Sequence, residues 1–209
     1  MRVVVFGASR GVGLKVVEQA LEAGHHVTAF VRSPSAFTVK HPNLTVCQGD
    51  SMDAAAVEKA IGGQDAVVSA LGPTRPPVPG MMETSASNIV AAMRKQGVRR
   101  LVSTTGAGVR QPEDQPKLAD HLISALLNLL AKDVVLDSAA NVKVIQDSDL
   151  DWTIVRYPRL SDGPHTGKYR VGYVGRGSSS QLSRADGADF ALKELTEKKW
   201  LRKLPVASD

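Results

Sequence analysis

Residues 3–13 read VVVFGASRGVG, an apolar β-branched run that ends in a glycine-rich loop. The next segment, LKVVEQALEAG (residues 14–24), changes period: Val16, Val17, Ala20 and Leu21 recur at the spacing of one helix face. Strand, loop and helix follow in immediate succession, with Gly7, Gly11 and Gly13 in a G-x-x-x-G-x-G arrangement at the junction. That context gives each glycine a physical task. One makes the tight turn, one lets backbone N–H groups approach a pyrophosphate, and one lets the helix pack on the sheet with its positive end toward the phosphates. Ser9, Arg10 and Val12 complete the loop as cofactor-facing positions. A glycine triplet alone also serves a purely structural turn; its place between a first strand and a helix points to a dinucleotide.

The rest of the chain repeats the alternation. HVTAFV (26–31), DAVVSAL (65–71), RRLVSTT (99–105) and DWTIVRY (151–157) read as nearly continuous apolar strands, and ASNIVAAMRKQG (86–97) as an amphipathic helix. Strands that are apolar on both faces imply a sheet covered on both sides. The expected fold is therefore α/β, a single Rossmann-type doubly wound parallel sheet with helices on both faces. Gly24 and Gly97 fall just past helical patterns, where a left-handed residue ends a helix. No composition shift or repeat divides the chain, and residues 1–209 read as one domain. Loops at the carboxyl ends of such strands flank the ligand crevice, which places the substrate region at about residues 72–82, 106–130 and 157–182. Within it, the apolar stretch 118–131 reads as a helix that serves as lid, core or interface.

With 43% hydrophobic and 22% charged residues, the 209-residue chain has ordinary globular composition. Cys47 is the single cysteine, which excludes an intrachain disulfide and a thiolate zinc cluster, so no metal is expected. Neither a secretory signal nor the roughly 20 apolar residues of a membrane span is legible, and a cytoplasmic monomer or small homo-oligomer is expected. The net charge of +5 invites a nucleic-acid reading. However, MRKQGVRR (93–100) and EKKWLRK (197–203) lie where helices should end, and only 4% of residues are aromatic, too few for base stacking. Neither nucleic acid nor membrane is an expected partner.

The residues after the second strand select the dinucleotide. An acid there accepts the adenosine ribose hydroxyls, whereas a cation pairs with a 2′-phosphate. Here the tip carries Arg32 and Ser33 and no acid, and Arg10 reaches toward the same phosphate from the glycine loop. A guanidinium binds phosphate in a forked geometry, so NADP(H) is the expected cofactor, with NADPH preferred over NADH.

Taken together, GASRGVG, CQGD (47–50), LDWTIVRYPRLSDGPHTGKY (150–169) and SRADGADFAL (183–192) resemble the short-chain dehydrogenase/reductase superfamily. The similarity is to its atypical branch of biliverdin-IXβ reductase (flavin reductase) and NmrA-like proteins, and it spans nearly the whole chain. The resemblance implies that Asp50, with Ser51 beside it, meets the adenine and that Leu71 and Gly72 pass beneath the adenosine. It also implies that Arg156, Tyr157, Pro158, Arg159 and Leu160 lie near the nicotinamide and second substrate. Three family positions differ: the middle glycine of the loop stands as Arg10, the serine after the fifth strand as Gly106, and a substrate-side histidine as Arg159.

Most members of the superfamily reduce carbonyls with a Tyr-x-x-x-Lys pair, and none is present. Tyr157 is followed four residues on by Ser161, Tyr169 by Tyr173 and Tyr173 by Gly177, while DSAANVKVIQDSD (137–149) holds Lys143 without a tyrosine. An acceptor that spreads the incoming charge over a conjugated ring system needs no such acid, because solvent delivers the proton and the protein aligns two planes. The expected activity is hydride transfer from NADPH to a flavin, quinone or similar small conjugated acceptor. Thr104 and Thr105 are candidates to hydrogen-bond the acceptor or nicotinamide, or else to satisfy strand-end backbone groups. Arg159 is a candidate to stabilise charge on a reduced ring, or else to pair with Asp162. Two rivals stay open: an NmrA-like protein that holds NADP as a redox sensor, and a tailoring reductase or isomerase acting on a specialised ring.

Overall fold

The computed structural model describes residues 1–74, 76–116, 131–176 and 178–209. The strands are β1 (Arg2–Phe6), β2 (His26–Val31), β3 (Leu44–Gln48), β4 (Ala66–Ser69), β5 (Arg100–Gly106), β6 (Asp151–Tyr157), β7 (Arg159–Ser161), β8 (Arg170–Gly172), β9 (Gln181–Ser183) and β10 (Val206–Ser208). Eight of them form one sheet in the order β3-β2-β1-β4-β5-β6-β10-β8. Pairing is parallel from β3 through β10, and β8 closes the edge antiparallel to β10. This is the doubly wound order, with its direction reversing between β1 and β4. The strands β7 and β9 pair with each other, parallel, in a separate small sheet.

The alternation of side chains along β1 explains why the sheet is covered twice. Val3 and Val5 pack with Val16, Val17 and Ala20 of α1 (Gly11–Glu22) and with Phe190 and Leu195 of α5 (Arg184–Glu197). Val4 and Phe6 face the other way, into a cluster with Val57 of α2 (Ala54–Ile61), Ile89 and Met93 of α3 (Met81–Gln96) and Ile145 of α4 (Lys132–Gln146). Each of these side chains larger than alanine contributes about 1.5–3 kcal/mol by leaving water. Both helix ends marked by glycine in the sequence occur: Gly24 and Gly97 adopt φ of 78° and 70°.

Contacts distant in sequence fix the helices. Gly80, which precedes α3, gives it no side-chain cap; instead Asp137 of α4 accepts the N–H groups of Met82 and Glu83, both at 3.0 Å. Asn141 donates to the Met82 carbonyl at 2.9 Å, so α4 is fastened to the first turn of α3. Arg100 and Glu194, 5% and 1% exposed, form a 3.6 Å ion pair that ties β5 to α5. The helix expected over 118–131 lies, apart from Ala131, outside the described residues. No helix among the described residues is long and apolar enough to cross a membrane.

Candidate cofactor-binding and active site

The loop between β1 and α1 is as tight as backbone allows. A Cβ on Gly7 would stand 2.4 Å from the Ala70 carbonyl oxygen, and one on Gly13 would stand 2.2 Å from the Gly7 carbonyl oxygen. Gly7 also has φ of 76°, which side chains disfavour. Gly13 thus works by packing α1 onto the turn, behind the site rather than in it. At the start of α1 no side chain caps the N–H groups and the first turn carries no acid. These free N–H dipoles make the helix start a receptor for an anion.

Above the carboxyl ends of the strands lies a cleft of about 650 Å³. Gly7, Ser9, Arg10, Gly11 and Val12 line one part of it. Arg32 lines it at the end of β2, while Ser33 precedes a short turn outside the lining. Asp50 and Ser51 line it after β3; Asp50 accepts the Met52 N–H at 2.9 Å, and buried Ser51 accepts the Ser85 hydroxyl at 2.8 Å. Phe30 forms a floor there: a Cβ on Gly49 would meet its ring at 2.5 Å. Leu71 and Gly72 line the cleft after β4, and Thr104, Thr105 and Gly106 line it at the end of β5. Tyr157, Pro158 and Leu160 complete that end. The structure therefore brings most of the residues singled out in the sequence to one cleft.

Arg159 is not among them. Leu160 faces the cleft, so its neighbour in β7 faces away, and Arg159 is exposed with its N–H bonded to the Ser180 carbonyl. Asp162 pairs not with Arg159 but with Arg184, at 2.6 Å, and both members of this pair line the cleft. Arg156, expected near the second substrate, is wholly buried and holds Asp114 through Nη1 at 2.7 Å and Nη2 at 2.9 Å. It also donates to the Leu204 and Val109 carbonyls, and Asp114 accepts the Gln111 and Val174 N–H groups. The pair therefore straps the segment after β5 onto β6 and the C-terminal strands. Burial alone pushes the Asp114 carboxyl up; the hydrogen bonds from Arg156, Gln111 and Val174, with the Arg156 charge, outweigh it and hold the carboxyl below its ordinary range.

The three tyrosines have separate tasks. Tyr157 is buried and donates its hydroxyl to the Gly187 carbonyl at 2.6 Å; burial pushes its pKa well above the ordinary phenol value. Tyr169 donates to Asp189 at 2.6 Å, and Tyr173 packs edge-on against Trp200. Lys143 pairs with Asp147 on the outer face of α4. His165 stands 3.4 Å from Asp189, outside the cleft lining. Among the described residues no group of three His, Cys, Asp or Glu side chains could hold a metal ion.

The cleft has further walls: Val78 and, at the start of α3, Met81 and Met82 fall in the loop region expected over 72–82, whereas Met52 after β3 and Ser138 on α4 were unmarked by local sequence patterns. The loop 163–167, next to the cleft-lining Asp162, is held by Asp186, which is 1% exposed and accepts the Thr166 and Gly167 N–H groups, both at 2.8 Å. Asp186 also meets the Ser183 hydroxyl that caps α5. Its carboxyl is driven up by burial and down, more strongly in total, by these hydrogen bonds.

A glycine-looped parallel sheet whose first helix starts uncapped beneath an open cleft defines a dinucleotide-binding Rossmann domain. A model of the NAD(P)H-binding family matches residues 7–198, and the chain belongs to that family. It is 29% identical over 155 residues to a (4-alkanoyl-5-oxo-2,5-dihydrofuran-3-yl)methyl phosphate reductase from Streptomyces griseus, an alignment that covers 74% of this chain and 46% of the relative. The chain thus spans about half the length of that relative. Among solved structures it is similar to a short-chain dehydrogenase/reductase from Veillonella parvula in complex with NADP, with a TM-score of 0.83 and 19% identity over all of this chain and 94% of the other. It is also similar to an anaerobillin reductase from Escherichia coli O157:H7, with a TM-score of 0.78 and 22% identity over 100% and 97% of the two chains. The NAD(P)H-binding family and the Rossmann fold that the resemblance implied are borne out, and NAD(P)H is the cofactor class.

The cleft fits that group. The uncapped N–H groups of α1 suit a diphosphate, Arg10 and Arg32 add cations to the same cleft, and Leu71, Gly72 and Phe30 add apolar surface that suits a ring system.

Proposed function

We propose that this protein is an NADPH-dependent reductase that delivers hydride to a flavin, quinone or similar conjugated acceptor without a tyrosine–lysine acid. The observation that carries the reading is the make-up of the cleft at the ends of β5 and β6. Thr104 and Thr105 are there, Met81 and Met82 line the same cleft from the start of α3, and Tyr157, the one tyrosine lining the cleft among the described residues, has its hydroxyl committed to Gly187. A group so held is a poor proton donor to substrate. The reductases from Streptomyces and Escherichia coli support the same class of chemistry.

When bound, the reduced nicotinamide supplies the hydride. Thr104 and Thr105 hold the reacting rings in register through their hydroxyls, and the methionine side chains give an apolar, adaptable surface that excludes water from one side. Proton delivery from solvent completes the reduction of a ring nitrogen or oxygen. Arg159, facing away, is expected to be dispensable.

The test is anaerobic oxidation of NADPH by the purified protein on addition of FMN, against a blank without protein. Saturable oxidation above the blank, reduced in Thr104→Val and kept in Arg159→Ala, supports the proposal. NADPH binding without oxidation of FMN or a quinone overturns the flavin or quinone reading in favour of an NADP sensor or a reductase of a specialised ring substrate.

The preference for NADPH is assigned to Arg32. Arg32→Asp is expected to weaken NADPH binding by about tenfold to a hundredfold while leaving NADH binding nearly unchanged, because a charge-assisted bond to the 2′-phosphate is replaced by repulsion. An unchanged ratio of the two affinities in a fluorescence titration removes Arg32 from this role.

A further inference from the structure

We propose that Arg184 is a ligand for the diphosphate bridge of the dinucleotide, held ready by Asp162 and handed from that carboxylate to the cofactor; this rests on the dinucleotide reading above. Arg184 begins α5, yet its Nε lies 3.9 Å from where a Cβ on Gly11 would stand, at the start of α1. Its guanidinium is thus beside the uncapped N–H groups that receive a diphosphate. Both Arg184 and Asp162 line the cleft.

Local energetics give Arg184 no other reason for its place. A cation in the first turn of a helix faces the positive end of that helix, an unfavourable position. The terminus of α5 is already served by Ser183 and Asp186. The partner of Arg184 is a carboxylate on a side chain that is 91% exposed, and an ion pair of that kind contributes little to stability. A residue that breaks a local rule without a local gain marks a functional position. The guanidinium reaches both Asp162 and the start of α1, and a diphosphate with two charged oxygens close to α1 offers it a better-organised partner than solvated Asp162. Arg184 and Arg32 would then divide the cofactor between them: Arg184 serves the diphosphate common to NADPH and NADH, and Arg32 the 2′-phosphate of NADPH alone.

The experiment is a titration of NADPH and NADH, by nicotinamide fluorescence, into wild type, Arg184→Gln, Arg184→Lys and Asp162→Asn. Arg184→Gln is expected to weaken both cofactors alike, by about tenfold or more. Lysine should restore part of the loss, since it keeps the charge but not the fork. Asp162→Asn should tighten both cofactors severalfold by removing the competing carboxylate. The unfolding midpoint of the cofactor-free variants should stay within about 2 °C of wild type, as expected for a surface pair. Unchanged affinity in Arg184→Gln overturns the assignment, and a loss confined to NADPH moves Arg184 to the 2′-phosphate and overturns it too. Weakening by Asp162→Asn equal to that of Arg184→Gln overturns the hand-over. Failure of the wild type to bind either cofactor overturns the dinucleotide reading itself, so the two failures are distinguishable.

Discussion

Gly13→Ala is expected to abolish measurable NADPH binding and to destabilise the fold by about 3 kcal/mol, the upper end of the range for overpacking. One methyl group suffices because of where it goes: 2.2 Å from the Gly7 carbonyl oxygen and 3.2 Å from the Ala70 Cβ. A flexible side chain could swing aside at little cost, but the obstruction here is main chain in the cofactor loop. Relief requires α1 to lift off β1, which moves the N–H groups that face the diphosphate and loosens the packing of Val16 and Val17 against Val3 and Val5. Gly62→Ala and Gly172→Ala are the controls, since neither residue lines the cleft and a Cβ at either meets nothing closer than 3.5 Å. Urea unfolding and an NADPH titration on the three variants check the prediction. Binding by Gly13→Ala within threefold of wild type would show that the loop tolerates a displaced helix and that close packing is not what shapes it.

Asp114→Ala is expected to destabilise the protein by about 3–5 kcal/mol, because it leaves the Arg156 guanidinium charged, fully buried and without its carboxylate. In a chain of this size that lowers the unfolding midpoint by roughly 10 °C or more. Calorimetry measures it directly. Replacing both partners, as in Asp114→Leu with Arg156→Met, should recover part of the loss by removing the orphaned charge. Recovery stays partial, since the Leu204 and Val109 carbonyls and the Gln111 and Val174 N–H groups lose partners as well. The linkage to pH has a definite sign. The folded carboxyl titrates below its ordinary value of 3.8, so its stabilising contribution is complete above that value and is lost as pH falls through the depressed folded pKa. Wild type should therefore lose stability below about pH 4 more steeply than Asp114→Asn. Parallel acid unfolding curves for the two would mean that Asp114 is not held as the geometry implies. The strap also supports the site: the segment it fastens begins at Gly106, on the wall of the cleft.

What was legible in the sequence was local in origin. The apolar run of β1, the glycine loop and the helical period of α1 are near neighbours in the chain, and so are the glycines that end α1 and α3. Period and backbone conformation are set by each residue and those a few places away, so the doubly wound fold and the cofactor end of the cleft could be read from pattern alone. The strands β7, β8, β9 and β10 escaped that reading because three residues carry no period; β10 and β8 pair only at the edge of the formed sheet, and β7 and β9 only with each other once their segments have met.

The fates of the arginines divide along the same line. Arg32 could be placed from sequence because the end of β2 is itself part of the pattern. Arg156, Arg159 and Arg184 could not: one turned inward to Asp114, one outward to solvent, and one across the chain to the start of α1. Whether a guanidinium lines a cleft, fills a core or faces water depends on which distant carboxylate, carbonyl or strand face meets it, and only the tertiary structure brings those groups together. The sequence by itself determined a dinucleotide-binding sheet and its glycine loop; tertiary packing decided which charged side chains are buried as struts and which line the cleft, because burial and ion pairing are properties of groups that meet only on folding.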